Sequence, residues 1–212
     1  VGDRLRGYWD FDELDLSEQR FRELLALEPD EEGRAEVLTQ LARLEGLRGR
    51  FDEGDRLLDE ADMVASSSAL VQARVELERG RLRRSSGDTE AALPLFEAAF
   101  ATAMAIDHEF LVVDAAHMAA IAAPGQDARL AWTRRGIELA EASTDPEVKY
   151  WLGPLFNNVG WDHYDAGQYD AALDAFERAL VEREKRPDRP AEIALAREAI
   201  DETRLKVELR AG

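Results

Sequence analysis

Cysteine is absent from all 212 residues, so disulfides, thiol nucleophiles and thiolate metal ligands play no part in this chain's chemistry. The absence suits a reducing compartment, and the expected location is cytoplasmic. Lysine is limited to Lys149, Lys185 and Lys206, with arginine supplying the other basic residues. Together with the abundance of alanine, this points to a GC-rich bacterial genome, which concerns source and not mechanism. Histidine is limited to His108, His117 and His163. No apolar run approaches the ~20 residues a membrane helix requires, and residues 1–30 are charged throughout, with no hydrophobic signal core, so no membrane partner is expected. Phosphate-binding glycine loops and nucleophile motifs are also missing. With 45 acidic residues against 27 basic ones the net charge is −18, which repels polyanions and argues against a nucleic-acid partner. Basic partners stay open.

What is present is helical periodicity. Between Pro154 and Leu180 two helical patterns flank the turn Asp165-Ala166-Gly167-Gln168. Phe156, Val159, Gly160 and His163 share one side of the first, and Ala172, Phe176 and Ala179 one side of the second. Small residues, Gly160 and Ala172, sit where antiparallel helices must approach closely, with Phe156 and Phe176 filling the wider space beside them. The same arrangement recurs upstream. Ala42, Gly80, His117 and Gly160 follow one another at intervals of 38, 37 and 43 residues, the differences of their numbers. Gly54 takes the place of Ala172 in an earlier hairpin, although glycine there costs roughly 1 kcal/mol of helix propensity. Ala92, Phe96 and Ala99 repeat the second-helix pattern, while Val113, Ala116 and His117 with Arg129, Thr133 and Gly136 form its most degenerate copy.

This order of aromatic, aliphatic and glycine on one helix and Ala, aromatic, Ala on the next resembles the tetratricopeptide repeat, in a long-repeat bacterial form. The chain departs from that pattern at His163, where an aromatic is usual, and at Glu184, where proline is frequent. The resemblance implies an all-α fold, a right-handed solenoid of antiparallel helix hairpins. The expected organisation is a single domain over 1–212, with a lead-in and half repeat at 1–30 and hairpins at 33–66, 69–106, 108–142 and 150–186. In the half repeat Ser17, Phe21 and Leu24 match Ala172, Phe176 and Ala179, and Asp15 with Glu18 reads as a helix start. Tyr8, Trp9 and Phe11 are expected to dock on the first helix. A capping helix at 190–210 carries Ile193, Ala196, Ile200, Thr203 and Val207 on one stripe; the other reading of that stripe is a homodimer or partner helix.

In that family the first helix of each repeat lines the concave side, which makes the groove legible by register. Asn157, Trp161 and Tyr164 share a face at i, i+4 and i+7. The corresponding positions are Leu111, Asp114, Met118 and Ile121, then Arg74, Glu78, Arg81 and Arg84, then Thr39, Gln40 and Arg43. The expected binding residues are Arg43, Arg74, Arg81, Asp114, Met118, Asn157, Trp161 and Tyr164, with the aromatics and Met118 as apolar anchors, Asn157 on a peptide backbone and the arginines on acidic groups. Each has a structural alternative: arginines paired with neighbouring carboxylates, Trp161 packed between repeats, His117 a hydrogen-bonded core histidine. No lysine clamp for a terminal carboxylate is present. The expected function is a protein- or peptide-binding scaffold, with no cofactor, no metal and no catalytic residue. The alternatives are a receptor that changes pitch on binding a peptide or small ligand, and a metal or acid-base enzyme around Asp114, His117 and His163.

Overall fold

The periodic segments are helices in the computed structural model, which describes residues 3–211. A 3-10 turn at Arg6–Tyr8 precedes α1 (Leu14–Leu27), α2 (Glu31–Leu47), α3 (Phe51–Val64), α4 (Ala69–Ser85), α5 (Thr89–Ala105) and α6 (Glu109–Ala122). Then follow α7 (Gln126–Ala142), the single turn α8 (Pro146–Lys149), α9 (Leu152–Asp165), α10 (Tyr169–Glu184) and α11 (Pro190–Ala211). Among the described residues there is no strand. The helices pack in adjacent antiparallel pairs, the all-α tetratricopeptide-like arrangement expected.

The chain divides into two compact units, the first ending at Ala122 and the second beginning at Ala123, in the turn between α6 and α7. Within the first unit α2 pairs with α3, α4 with α5, and α2, α4 and α6 lie side by side. Its core joins Phe21, Val37, Leu38, Leu41, Leu44, Leu58, Val71, Val75 and Leu82. Within the second unit α9 pairs with α10, and α11 packs on α10 through Ala199 and Ile200 against Ala172 and Phe176. Of the stripe on the last helix Ala196, Ile200 and Thr203 are buried, and Ile193 and Val207 are half-buried.

The hairpin turns have a common cause. At the end of α9 the amide of Gln168 bonds the carbonyl of His163 and that of Gly167 bonds Tyr164, both at 2.9 Å, while Gly167 takes φ +72°. This pattern ends a helix by satisfying its orphan carbonyls, and it requires a residue that tolerates positive φ. Glu45 and Gly46 accept in the same way from Arg50 and Gly49.

Two expectations need correction. The first long helix starts at Leu14, and no side chain caps it. Asp15 and Glu18 instead bond Arg48, whose fork reaches both carboxylates and outcompetes a neutral amide cap. The lead-in docks on more than the first helix. Tyr8 and Trp9 lie 5.8 and 5.3 Å from the Phe21 ring, but Trp9 Nε1 also donates to Gln40 Oε1 on α2 at 2.9 Å.

Candidate functional site

The helices α2, α4 and α6 each turn one polar row toward the same face of the first unit. An ordinary amphipathic helix would leave that row in water. Here Glu36, Gln40, Arg74, Glu78 and Asp114 are all buried, none more than 4% exposed. Burying charge costs several kcal/mol per ion unless it is paired and hydrogen-bonded, and the pairs are made across helices. Arg74 Nε donates to Glu36 Oε2 at 2.9 Å, and its two terminal nitrogens hold the Asp3 carboxylate at 2.7 and 3.1 Å. Arg81 bridges Glu78 on its own helix and Asp114 on α6. Arg4 lies over the end of the row, bonding Glu36 at 2.9 Å and Glu28 at 2.6 Å.

Of the expected binding residues, this face brings together Arg43, Arg74, Arg81, Asp114 and Met118. Their surroundings divide them. Arg74 is 2% exposed, and its fork is filled by Asp3 and Glu36, so it offers no free donor to a ligand. Arg81 and Asp114 neutralise each other: burial pushes the Asp114 carboxyl up, and the Arg81 and Arg43 guanidiniums more than reverse this, leaving it below the ordinary carboxylate range. Arg43 differs. Its nearest acid, Glu78, is 3.9 Å away, and burial together with the neighbouring Arg81 brings its pKa down to about 10. It is an under-neutralised cation, stacked 5.1 Å from the centroid of the Trp9 ring and 5.3 Å from that of Phe11.

Beside these pairs lies a pocket of about 190 Å³ lined by Arg43, Gly46, Leu47, Arg81, Leu82, Arg84, Ser85 and Met118. Its floor is apolar. Leu47 stands 53% exposed at its edge, and Arg84 is exposed with no acid in ion-pair range among the described residues. His117 neighbours the same charges; burial, with Arg81, Arg43 and Arg84 adding to it against Asp114, lowers its pKa to about 4 and keeps the ring neutral near pH 7.

In the second unit Asn157, Trp161 and Tyr164 lie along α9 as the register requires. Trp161 is 36% exposed, edge-on to Phe176 at 5.0 Å and to Tyr164 at 5.3 Å. Tyr164 donates to Glu202 of α11 at 2.6 Å, and that bond pushes its pKa up to about 12. Asn157 is half-buried, and its side-chain amide makes no hydrogen bond among the described residues. As for metal chemistry, Asp114 is committed to Arg81 and His163 Nδ1 to Gln168 Oε1, and no group of three His, Asp or Glu among the described residues is placed to hold an ion. No helix among them is long and apolar enough to cross a membrane.

Register alone did not bring Asp3, Arg4, Leu47 and Leu82 to this face. Asp3 and Arg4 lie in a segment without helical period, and neither leucine falls at the positions counted for the inner face.

Residues 155–185 match the family model of the tetratricopeptide repeat. Among solved structures the chain is similar to a signal transduction ATPase with numerous domains from Pyrococcus horikoshii, described as carrying a tetratricopeptide repeat sensor, at a TM-score of 0.66 and 13% identity over 89% of this chain and 28% of that one. It is also similar to BtubC (BKLC) from P. vanneervenii, at 0.62 and 18% over 82% and 74%, and to MamA, at 0.53 and 15% over 89% and 99%. At these identities the likeness is one of fold. The chain spans only 28% of the length of the P. horikoshii protein. No curated protein sequence matches it.

Proposed function

We propose that this tetratricopeptide-repeat chain is a scaffold for protein interactions that holds an extended segment of a partner along the shared face of α2, α4 and α6. The observation that carries this reading is the pocket of about 190 Å³, in which Leu47, Leu82 and Met118 sit beside Arg43, Arg81 and Arg84. An apolar floor with a cationic rim fits an aliphatic or aromatic side chain next to an Asp or Glu. Because the whole chain carries −18, this cationic rim runs against a repulsive field and favours an acidic group locally. Arg84, with no acid in ion-pair range among the described residues, and Arg43, whose nearest acid Glu78 stays at 3.9 Å, are the cations with most to gain from a ligand carboxylate. In the second unit, Asn157 and Trp161 supply an amide and an exposed ring for backbone and side-chain contacts of the same kind.

The test is selection from a random short-peptide library against the wild type and Met118→Asp, with helicity checked by circular dichroism. Selected peptides are expected to pair an acidic residue with a nearby large apolar one, and to lose binding about tenfold or more, about 1.4 kcal/mol, against the folded variant. Selection unaffected by Met118→Asp would remove the pocket from the site. A second reading, a ligand-sensing receptor, draws on the sensor description of the P. horikoshii protein; it predicts compaction in small-angle scattering when a selected peptide binds.

A further inference from the structure

The lead-in is held to the first unit as a ligand would be. Among the described residues its own backbone hydrogen bonds stay within it, from Arg6 to Asp3, Tyr8 to Leu5 and Trp9 to Arg6 at 3.0 to 3.3 Å, and none joins it to α2 or α4. What crosses is side chain. Asp3 places a bidentate carboxylate on Arg74, Leu5 is fully buried among the core residues, and Trp9 donates to Gln40 while stacking on Arg43. Phe11 lies parallel to Trp9 at 4.7 Å, under Arg43 and Arg6, and is 42% exposed. Where the segment leads into α1 its backbone is tied down by Asp10 and Ser17 Oγ at 2.7 and 2.8 Å.

The charged part of the seat has partners of its own besides this segment. Arg74 keeps Glu36 as its partner, so no buried guanidinium is left alone, and Glu36 keeps Arg74 when Arg4 goes. The slot vacated by Leu5 is apolar, so an occupant without an aliphatic side chain there leaves core surface wet. We propose that residues 3–12 are an internal ligand of this face, and that the surface they cover is an interaction surface fitted to a partner segment of the same chemistry: a carboxylate, an aliphatic side chain two positions on, and an aromatic six positions on, as in Asp3, Leu5 and Trp9. This rests on the scaffold reading for the face but uses Arg74, Gln40 and the Leu5 slot, and shares Arg43 with the Met118 pocket. A partner segment competes with the chain's own, whose tether gives it a high effective concentration and lowers the apparent affinity for anything in trans.

The experiment uses the full chain and a fluorescent peptide copying residues 3–12 as the probe. In the wild type the seat is filled, and the peptide binds weakly. In the double variant Asp3→Ala, Trp9→Ala two anchors of the internal copy are gone, and the peptide is expected to bind about tenfold more tightly or better; Gln40→Ala in the same background is expected to reverse that gain, which ties it to the seat of Trp9 and separates the proposal from the pocket, whose lining does not include Gln40. A folded double variant that binds the peptide no better than the wild type overturns the proposal. Hydrogen exchange on the wild type keeps it falsifiable if that variant unfolds: the amides of Tyr8 and Trp9 are expected to exchange about a hundredfold faster than those in the middle of α2 and α4. Equal protection makes the segment a fixed part of the core and overturns it as well.

Discussion

Gly160 shows how little space a single residue is given. A Cβ built there would lie 2.4 Å from the Phe176 ring, and one at Gly80 would lie 2.5 Å from that of Phe96. Both rings are fully buried, and Phe176 is further held by the edge of Trp161, so the ring cannot swing aside as a flexible side chain would. Gly160→Ala gains roughly 1 kcal/mol of helix propensity and loses about 1–3 through overpacking. The expected net result is a loss of stability of up to about 2 kcal/mol, read from urea unfolding; a stabilised variant would show that the hairpin can open at this point. These slots were legible in the sequence because a small residue opposite an aromatic at a fixed interval has one physical explanation. The fate of the inner-face arginines was not. Register puts Arg74 and Arg81 on the right face, but their partners Asp3, Glu36 and Asp114 come from other elements, and no local pattern marks which acids will reach them.

At the scale of the element, the interval of 43 residues between His117 and Gly160 has a simple cause. The one-turn helix Pro146–Lys149, capped by Asp145 accepting from the amide of Glu147 at 2.9 Å, is inserted before α9. The irregular interval was visible in the sequence, whereas the inserted turn was not, because four residues are too few to show a period. The last helix was legible for the opposite reason, since a stripe in steps of three and four from Ile193 to Val207, about four turns, has the period of a helix whatever covers it. It separates two kinds of leucine and isoleucine. Ile200 is 4% exposed against Phe176 and Ala172, while Leu205 is 60% exposed on the opposite side. Ile200→Ala is expected to cost about 2–4 kcal/mol and Leu205→Ala no more than about 0.5, measured by thermal unfolding. Equal costs would mean that Leu205 is covered in solution, and the homodimer reading of this helix would then take precedence over the cap.

For the molecule as a whole, acid acts in two opposite directions. Lowering the pH neutralises surface carboxylates and relieves the repulsion of a chain at −18, which stabilises the compact state. The inner-face network of the first unit responds the other way. His117 has a folded pKa of about 4 against 6.5 for a free histidine, so between those values the unfolded chain takes up a proton that the folded one refuses. Stability from this group is therefore complete above pH 6.5 and falls as the pH drops toward 4, by at most about 3 kcal/mol and less in practice because the ring is only half-buried. Asp3 and Asp114, both held below the ordinary carboxylate value of 3.8 by arginine, extend the loss in the same direction at still lower pH. The two effects separate in a difference measurement. The surface term is common to the wild type and His117→Gln, so the gap between their unfolding free energies isolates the histidine. That gap is expected to shift against the wild type by about 1–3 kcal/mol between pH 7 and pH 4, followed through the exchange of amides in α4 and α6. A gap that does not change with pH would place His117 in water, away from Arg43, Arg81 and Arg84, and would take with it the picture of a buried, arginine-rimmed face on which the proposed binding depends.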